Sequence, residues 1–454
     1  MLHSQNAFPK FVKTAAQSQA ALSRRPHDHN FKVAVIGTFA PRKCGIATFT
    51  EDLKTKVEAF HPGVSFDVYA LDRREAASLY DGSIELVRVD ELQSYRDAAR
   101  RINRSGADAV WLQHEYGIFG GPEGAMVTEL IDRIEAPLIV TFHTILTEPS
   151  PGQREVLRHI LSRTAEAMVM SAHGRDLLIK LYGFSPDRIT VIAHGAPDRP
   201  FGREAQFKAQ LGLAGRPVLM TFGLLGPGKG LEHAIEALPA IVEKHPNVLY
   251  RIVGATHPNL VREQGETYRD GLKARVTELG IEANVAWDDR FLDTDELLDQ
   301  IEACDIYLTP YPNLQQSTSG TLSYAVALGK AVVSTPYIHA RELLADDVGV
   351  LVPVGDSAAI AATVNDLLDQ PAKLSAIKER AYAKGRLTIW PRFAQASAEL
   401  VSKAVIAQEA GASEASAFAF EKGRSHGLGD THVLPCPAHR AVFDLRVGGM
   451  KLAG

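Results

Sequence analysis

Residues 217–231, PVLMTFGLLGPGKGL, constrain the fold more than any other stretch of the chain. The apolar run 218–222 predicts a buried parallel strand, and helical spacing of apolar residues begins again at Leu231. The glycine-rich loop between them brings backbone N–H groups and the positive end of a helix dipole to one place, which favours a phosphate. The segment therefore predicts an anion site with Lys229 as its cation. An ordinary strand-to-helix turn with a solvated lysine is the alternative, and this segment alone does not decide between them.

The same alternation of short apolar runs and amphipathic stretches continues on both sides of this segment. We predict strands at residues 32–37, 65–71, 84–89, 109–112, 138–142, 167–170, 189–193, 218–222, 248–253, 285–287, 306–309, 331–335 and 350–352. Strands that alternate with helices indicate parallel sheets covered on both faces. The predicted fold class is therefore α/β, with two Rossmann-like, doubly wound domains facing a central cleft.

The domain boundaries follow from shifts in composition along the chain. We predict a disordered leader, an N-terminal domain, a C-terminal domain, a helix that crosses back and a poorly ordered tail, at residues 1–30, 31–200, 201–390, 391–407 and 408–454. A hinge is expected around residues 195–215, where glycine, proline and charge are concentrated.

Composition excludes several classes of function. The net charge is −5, with 45% hydrophobic and 23% charged residues, which is ordinary for a globular protein and unlike a basic nucleic-acid-binding domain. The three cysteines are far apart and match no zinc or redox spacing, so a reducing, cytoplasmic location is expected. No apolar run approaches the roughly 20 residues that span a bilayer. Weak peripheral membrane contact is the remaining membrane role, without an amphipathic basic helix to support it.

Polar residues follow several predicted strands of the N-terminal domain. His114, His143 and His194 each come just after a strand, and Glu115 is the carboxylate best placed beside them. Ligands of doubly wound sheets bind beyond the carboxyl ends of the strands. Three histidines on one rim can indicate a metal, but no His-x-x-x-His pair or similar local spacing supports one. We expect contacts to a hydroxyl-rich ligand instead.

Two further strand-to-helix turns suit an anion. One places Gly45 at a helix start in the N-terminal domain. The other, in the C-terminal domain, is the hydroxyl-rich loop that leads through Ser319 into a helix near Gly320 and Thr321. Three such turns, on both predicted domains, favour a phosphorylated or nucleotide ligand in the cleft between them.

Three segments resemble the retaining glycosyltransferases of family 4, which have the GT-B fold. PLIVTFHT, residues 137–144, is similar to the strand that carries the family's active-site histidine, which implies that role for His143. FGLLGPGKG, residues 222–230, resembles the Gly-Arg-Leu-x-x-x-Lys-Gly turn, which implies that Lys229 binds the donor diphosphate. YAVALGKAVVST, residues 324–335, resembles the block Glu-Ala-Met-Ala-x-Gly-x-Pro-Val-Val-Ala-Ser/Thr and is the most specific match.

The chain departs from the family at three positions. Leu224 replaces the arginine of the glycine-rich turn, and Gln316 and Tyr324 replace the paired glutamates that face the donor sugar and the ribose. Gln316 still offers hydrogen bonds to sugar hydroxyls, whereas Tyr324 cannot chelate two ribose hydroxyls as a carboxylate does. The resemblance therefore implies a divergent subgroup.

The resemblance also implies a set of site residues. Catalytic roles fall to His143, Lys229 and Gln316. The donor-binding residues are Gly45, Gly223, Lys229, Ser319, Gly320, Thr321, Leu322 and Tyr324. Acceptor contacts fall to His114 and Glu115.

The implied activity is transfer of a sugar from a nucleotide diphosphate sugar to a carbohydrate or lipid-linked acceptor, with retention of configuration. No metal and no cofactor beyond the donor are expected, GDP-mannose is the donor suggested by the His143 strand, and polysaccharide biosynthesis is the expected role. One alternative is a nucleotide-sugar epimerase or a phosphorylase on the same fold. Another is a non-catalytic sugar- or nucleotide-binding protein that lost the acidic pair.

Overall fold

The computed structural model describes residues 30–73 and 78–425, with side chains as far as residue 410. The predicted leader, apart from residue 30, and the part of the predicted tail beyond residue 425 lie outside the described residues.

The N-terminal half forms a sheet of seven parallel strands in the order β3-β2-β1-β4-β5-β6-β7. The strands are β1 Phe31–Gly37, β2 Val64–Asp72, β3 Glu85–Arg88, β4 Ala109–His114, β5 Leu138–Phe142, β6 Thr164–Val169 and β7 Ile189–Val191. The helices between them are α1 Gly45–Phe60, α2 Leu92–Ser105, α3 Thr128–Ile131, α4 Pro151–Arg163 and α5 Ala172–Tyr182. Strands β4 and β5 are buried along their whole length, because helices cover both faces of the sheet.

The C-terminal half forms a second sheet, of six parallel strands in the order β10-β9-β8-β11-β12-β13. The strands are β8 Val218–Phe222, β9 Leu249–Val253, β10 Val285–Asp288, β11 Ile306–Thr309, β12 Ala331–Ser334 and β13 Val350–Leu351. The helices are α6 Glu204–Gln210, α7 Leu231–Lys244, α8 Pro258–Gln264, α9 Thr267–Glu278, α10 Thr294–Glu302, α11 Gly320–Ala327, α12 Ile338–Leu343, α13 Ser357–Asp369 and α14 Pro371–Gly385.

The two sheets share one plan of winding. In the first sheet β2 and β3 lie on one side of β1, and β4 begins the other side. In the second sheet β9 and β10 lie on one side of β8, and β11 begins the other side. Such a switch point leaves a crevice beyond the carboxyl ends of the two central strands, where ligands of this architecture bind. The predicted α/β class with two doubly wound domains is confirmed.

The last described helix, α15, spans Trp390–Ser425 and is longer than the predicted helix at residues 391–407. Residues 408–420 are rich in alanine, which favours helix, and the helix continues into the segment 408–454 that the sequence predicts to be poorly ordered. Near its start the helix contacts the N-terminal half, because Lys403 Nζ donates to Glu166 Oε2 at 2.7 Å. Within the described residues, neither α15 nor any other helix combines the length and apolar character needed to cross a membrane.

Candidate functional site

A cleft of about 660 Å³ opens between the carboxyl edges of the two sheets. Both halves of the chain line it, which follows from the facing switch points. Most of the predicted site residues lie on its walls: Gly45, Glu115, His143, Gly223, Lys229, Gln316, Ser319, Gly320, Thr321 and Tyr324. His114 and Leu322 are not among its lining residues.

Lys229 is the cation of the C-terminal wall. Its Nζ donates to Tyr311 Oη at 2.9 Å and lies 4.5 Å from the centre of that ring. A Cβ on Gly223, whose φ is 126°, would come within 3.3 Å of the ammonium, so glycine keeps this approach open. No carboxylate among the described residues forms an ion pair with Lys229, and its charge is therefore available to an anion.

Helix α11 points its N-terminus into the same cleft. Ser319 caps the helix, and its Oγ accepts a hydrogen bond from Leu322 N at 3.3 Å. N–H groups in the first turn of a helix have no intrahelical acceptor, so Gly320 and Thr321, which line the cleft, present donors and the positive dipole end. Leu322 does not line the cleft: its N–H donates to the cap and its side chain is fully buried, so its contact with the donor stays a prediction without support from its position.

A chain of hydroxyl groups joins the lysine to this helix. Tyr311 Oη lies 2.9 Å from Thr321 Oγ1, which lies 3.1 Å from Ser319 Oγ. Behind them, Ser319 N donates to His339 Nδ1 at 2.9 Å, and burial lowers the pKa of His339 to about 3. A neutral imidazole therefore holds the start of the helix without adding charge.

Helix α1 brings a second N-terminus to the cleft from the N-terminal half. Cys44 caps it, with Sγ accepting from Ala47 N at 3.4 Å. Gly45 and Ile46 line the cleft, and a Cβ on Gly45 would meet nothing within 4 Å. The cleft thus receives the positive ends of two helix dipoles, one from each half.

His143 lies directly after β5 with 9% of its surface exposed. Burial first, and then the neighbouring His194 and His114, lower its pKa to about 3. The ring is neutral at physiological pH, and its Nε2 lies 3.0 Å from Gln113 Oε1, to which it donates. Its main-chain oxygen accepts from Ser317 Oγ of the C-terminal half at 3.1 Å.

The side chains of His114 and Glu115, at the end of β4, lie in different surroundings. His114 does not line the cleft: only 1% of the residue is exposed, and its ring packs against Phe119 and Phe142, so its acceptor contact stays a prediction without support from its position. Side chains alternate between the two faces of a strand, so Glu115 reaches the cleft where His114 does not. Glu115 accepts from Thr144 Oγ1 at 2.6 Å, and burial raises the pKa of its carboxyl group.

The third rim histidine, His194, supports the start of α11. Its Nδ1 lies 2.8 Å from Gly195 O and donates to it, which leaves Nε2 as an acceptor. A Cβ on Gly320 would lie 2.8 Å from that Nε2, so the helix start must be glycine for the two halves to meet here. Gln316 precedes α11 on the C-terminal wall, and its Nε2 donates to Thr318 O at 3.1 Å.

Sequence reasoning missed Asp52, which lines the cleft from the middle of α1. Tyr324 Oη donates to Asp52 Oδ2 at 3.4 Å, linking the two halves. Burial raises the pKa of Asp52 to about 6 and the pKa of Tyr324 well above its usual value. The signal was the spacing of Gly45, Thr48 and Asp52, which share one face of α1 and all line the cleft.

The loop after β10 was also missed. Arg290 and Phe291 line the cleft, and Arg290 pairs with Asp288 at 2.7 Å. Lys43 Nζ of the N-terminal half lies 5.6 Å from the centre of the Phe291 ring. This loop follows the carboxyl end of a strand, the same position that singled out the rim histidines. Among the described residues no group of three or more His, Cys, Asp or Glu side chains is arranged to hold a metal ion.

Two family models match the chain. The model "Glycosyl transferases group 1" matches residues 203–384, and the model "Glycosyltransferase Family 4" matches residues 45–198. The two matches correspond to the C-terminal and N-terminal halves described above.

Curated relatives are similar over shorter stretches. The D-inositol 3-phosphate glycosyltransferase of Kineococcus radiotolerans is 27% identical over 298 residues, 60% of this chain and 68% of the relative. The enzyme of the same name from Rhodococcus opacus is 28% identical over 55% of this chain, and the match spans 58% of that relative. The phosphatidyl-myo-inositol mannosyltransferase of Mycobacterium leprae is 27% identical over 71% of this chain and 80% of its own length.

Solved structures share the fold. A glycosyltransferase from Rickettsia africae matches with a TM-score of 0.66 and 15% identity, covering 83% of this chain and 99% of its own. Anabaena HepE in complex with UDP matches with a TM-score of 0.65 and 18% identity, covering 82% of this chain and 100% of its own.

Proposed function

Since the chain belongs to the glycosyltransferases of family 4 with the GT-B fold, we propose that it transfers a sugar from a nucleotide diphosphate sugar to a hydroxyl group of a carbohydrate or lipid-linked acceptor, with retention of configuration. The observation that carries the proposal is the Lys229 ammonium, which has no carboxylate partner among the described residues and lies beside the N-terminus of α11. Mannose from GDP-mannose is the donor we favour, and mannosyltransferases occur among the relatives.

The bond changes balance without a further reactant. The bond between the sugar C1 and the β-phosphate oxygen breaks, and a bond between C1 and the acceptor oxygen forms on the same face. The acceptor hydroxyl proton passes to the departing phosphate, so a nucleoside diphosphate and a glycoside are the products. Negative charge grows on the diphosphate, where Lys229 and the starts of α1 and α11 stabilise it by preorganised electrostatics.

The remaining wall residues position the two substrates in this proposal. Neutral His143 orients the donor sugar by hydrogen bonding and shields the positive charge that develops at C1. Gln316 offers its amide to the sugar hydroxyls, and Glu115 accepts from the acceptor. Because the lysine and the helix dipoles supply the positive potential, we propose that transfer proceeds without a divalent metal. A cytoplasmic location and a role in polysaccharide biosynthesis stay predictions from the sequence.

A donor screen tests the proposal. We expect one nucleotide sugar of a panel to give free nucleoside diphosphate and a new glycoside whose anomeric proton coupling in NMR matches the donor configuration. Chelator should leave the rate unchanged. An isomerised nucleotide sugar would instead indicate an epimerase, and a free sugar phosphate would indicate a phosphorylase.

A non-catalytic binding protein is the second candidate, because Gln316 and Tyr324 leave the C-terminal wall without the family's acidic pair. Calorimetry with UDP, GDP and ADP separates the two candidates. Tight binding of one nucleotide, with neither hydrolysis nor transfer of its sugar conjugates, would favour the binding protein.

A further inference from the structure

Charge is divided unevenly between the walls of the cleft. Among the residues that line it, the two carboxylates are Asp52 and Glu115, both on the N-terminal half. The lysine and the arginine of the lining, Lys229 and Arg290, are both on the C-terminal half. If the C-terminal wall holds the donor diphosphate, the acceptor must occupy the wall that carries the negative charge.

Glu115 keeps hydrogen-bonding capacity on that wall. One carboxylate oxygen accepts from Thr144 Oγ1 at 2.6 Å and the other from Tyr116 N at 2.9 Å. A carboxylate offers about four acceptor positions, so two are left for groups that enter the cleft. Burial raises the pKa of this carboxyl group, both protein donors oppose that shift by favouring the ionised form, and no described lysine or arginine forms an ion pair with it.

Among the described residues, no lysine or arginine of the N-terminal half lines the cleft, although the charge of Lys56 acts on Asp52. Arg42 pairs with Asp72 at 3.4 Å, and Lys43 lies over the Phe291 ring. The N–H groups at the start of α5, which follows β6 at the same edge of the sheet, already have an acceptor. There the carboxylate of Glu342 accepts from Ala172 N at 3.0 Å and His173 N at 2.8 Å.

An incoming phosphomonoester on the N-terminal wall would therefore meet two carboxylates, with no lysine or arginine among the described lining residues of that wall. The free N–H groups at the start of α1 are the exception, and the proposed function commits them to the donor diphosphate. Like charges brought together in a partly buried cleft repel strongly, whereas a hydroxyl donates readily to a carboxylate.

Resting on the proposed function, we propose that the acceptor is an uncharged polyhydroxy compound, one of whose hydroxyls donates to Glu115, and that phosphorylated acceptors are rejected. This assignment separates the chain from those relatives that are named for D-inositol 3-phosphate. Glu115 acts as a specificity-determining residue, because it favours a hydroxyl and repels an anion at the same position.

Matched acceptor pairs test the assignment with the donor found in the screen. The purified full chain is given myo-inositol or inositol 3-phosphate, and mannose or mannose 6-phosphate. We expect kcat/KM to be at least tenfold higher for the neutral member of a pair. Glu115→Gln should raise KM for the neutral acceptor severalfold and bring the kcat/KM values of the neutral and phosphorylated acceptors closer together. The Kd for nucleoside diphosphate should stay constant. The control is Glu51→Gln, which makes the same change of charge at an exposed position of α1.

The outcomes are distinct. Preference for a phosphorylated acceptor, or a preference that Glu115→Gln does not alter, would overturn the assignment and leave sugar transfer standing. Nucleotide binding with neither hydrolysis of any nucleotide sugar nor transfer to any acceptor would favour the binding protein and overturn the proposed function, and the acceptor assignment with it. A wild-type protein that binds no nucleoside diphosphate would overturn the proposed function itself. The wild-type ratio needs no variant, so a misfolded Glu115→Gln protein would not block the test.

Discussion

The two walls of the cleft differ in the charge of the side chains that they present. The C-terminal wall offers the ammonium of Lys229, which pairs with no described carboxylate, and the start of α11, and the hydroxyls of Tyr311 and Thr321 connect the two. The N-terminal wall offers a neutral imidazole, His143, and the carboxylates of Asp52 and Glu115. This contrast suits a reaction in which one substrate leaves as an anion and the other arrives as a neutral hydroxyl. It also means that each wall can be tested by changing the charge of a single residue.

The largest effect should come from removing the cation. Lys229→Ala takes away the only ammonium among the described lining residues, while the helix starts remain. Loss of one preorganised electrostatic contact costs about 2.7–4 kcal/mol, or roughly 10²–10³ in kcat. Steady-state kinetics with the best donor should show that loss, and the Kd for nucleoside diphosphate should rise. Lys244→Ala, at an exposed position in the last turn of α7, is the control. If Lys229→Ala turns over at the wild-type rate with an unchanged circular dichroism spectrum, the C-terminal wall does not act through the charge of this lysine.

The next effect concerns the buried carboxyl of Asp52 and appears in stability. Its pKa is raised from 3.8 to about 6, so the folded protein binds more protons than the unfolded chain between these values. Stability should therefore fall as the pH rises from about 4 to 6 and then level off. Asp52→Asn removes the charge and should stabilise the protein by up to about 3 kcal/mol at pH 7.5, with little change near pH 4. Chemical denaturation across this range measures the difference. A gain that is equal at both pH values would show that Asp52 does not titrate as described.

The smallest effect should come from the contact between Glu342 and the start of α5. Glu342→Gln keeps the size of the side chain and removes its charge from a helix N-terminus, which is worth about 0.3–1 kcal/mol. The two halves should then separate more readily, with a modest rise in KM. Small-angle scattering of the nucleotide-bound protein would detect the opening, and Glu379→Gln on α14 serves as an exposed control. An unchanged scattering curve and KM would show that this contact does not hold the halves together.

Much of the fold was predictable because parallel strands are short and fully apolar. The run 218–222 and the run 138–142 match β8 and β5 residue for residue, since glycine, histidine or proline bounds each of them. Positions after strands were also informative, as the places of Lys229 and His143 on the cleft walls show. Local sequence fixes where a strand ends, and in this architecture the strand ends form the ligand site.

What could not be predicted depends on contacts between distant parts of the chain. Asp52 lies in the middle of a helix, and burial at the cleft, where Tyr324 from far along the sequence donates to it, raises its pKa although that hydrogen bond by itself lowers it. His114 and Glu115 are neighbours with similar polarity, and only the exact end of β4 decides which of them faces the cleft. The N–H of Leu322 donates to the cap at Ser319, a contact that the sequence analysis of this segment did not include.

The bond from Ser317 Oγ to the main-chain oxygen of His143 has a consequence for the timing of events. The peptide that carries the imidazole is held by a residue of the opposite half, so separation of the halves would break this contact. Under the proposed function, we expect a donor that binds to one half alone to be protected from hydrolysis, because His143 is held in place only when the two halves meet.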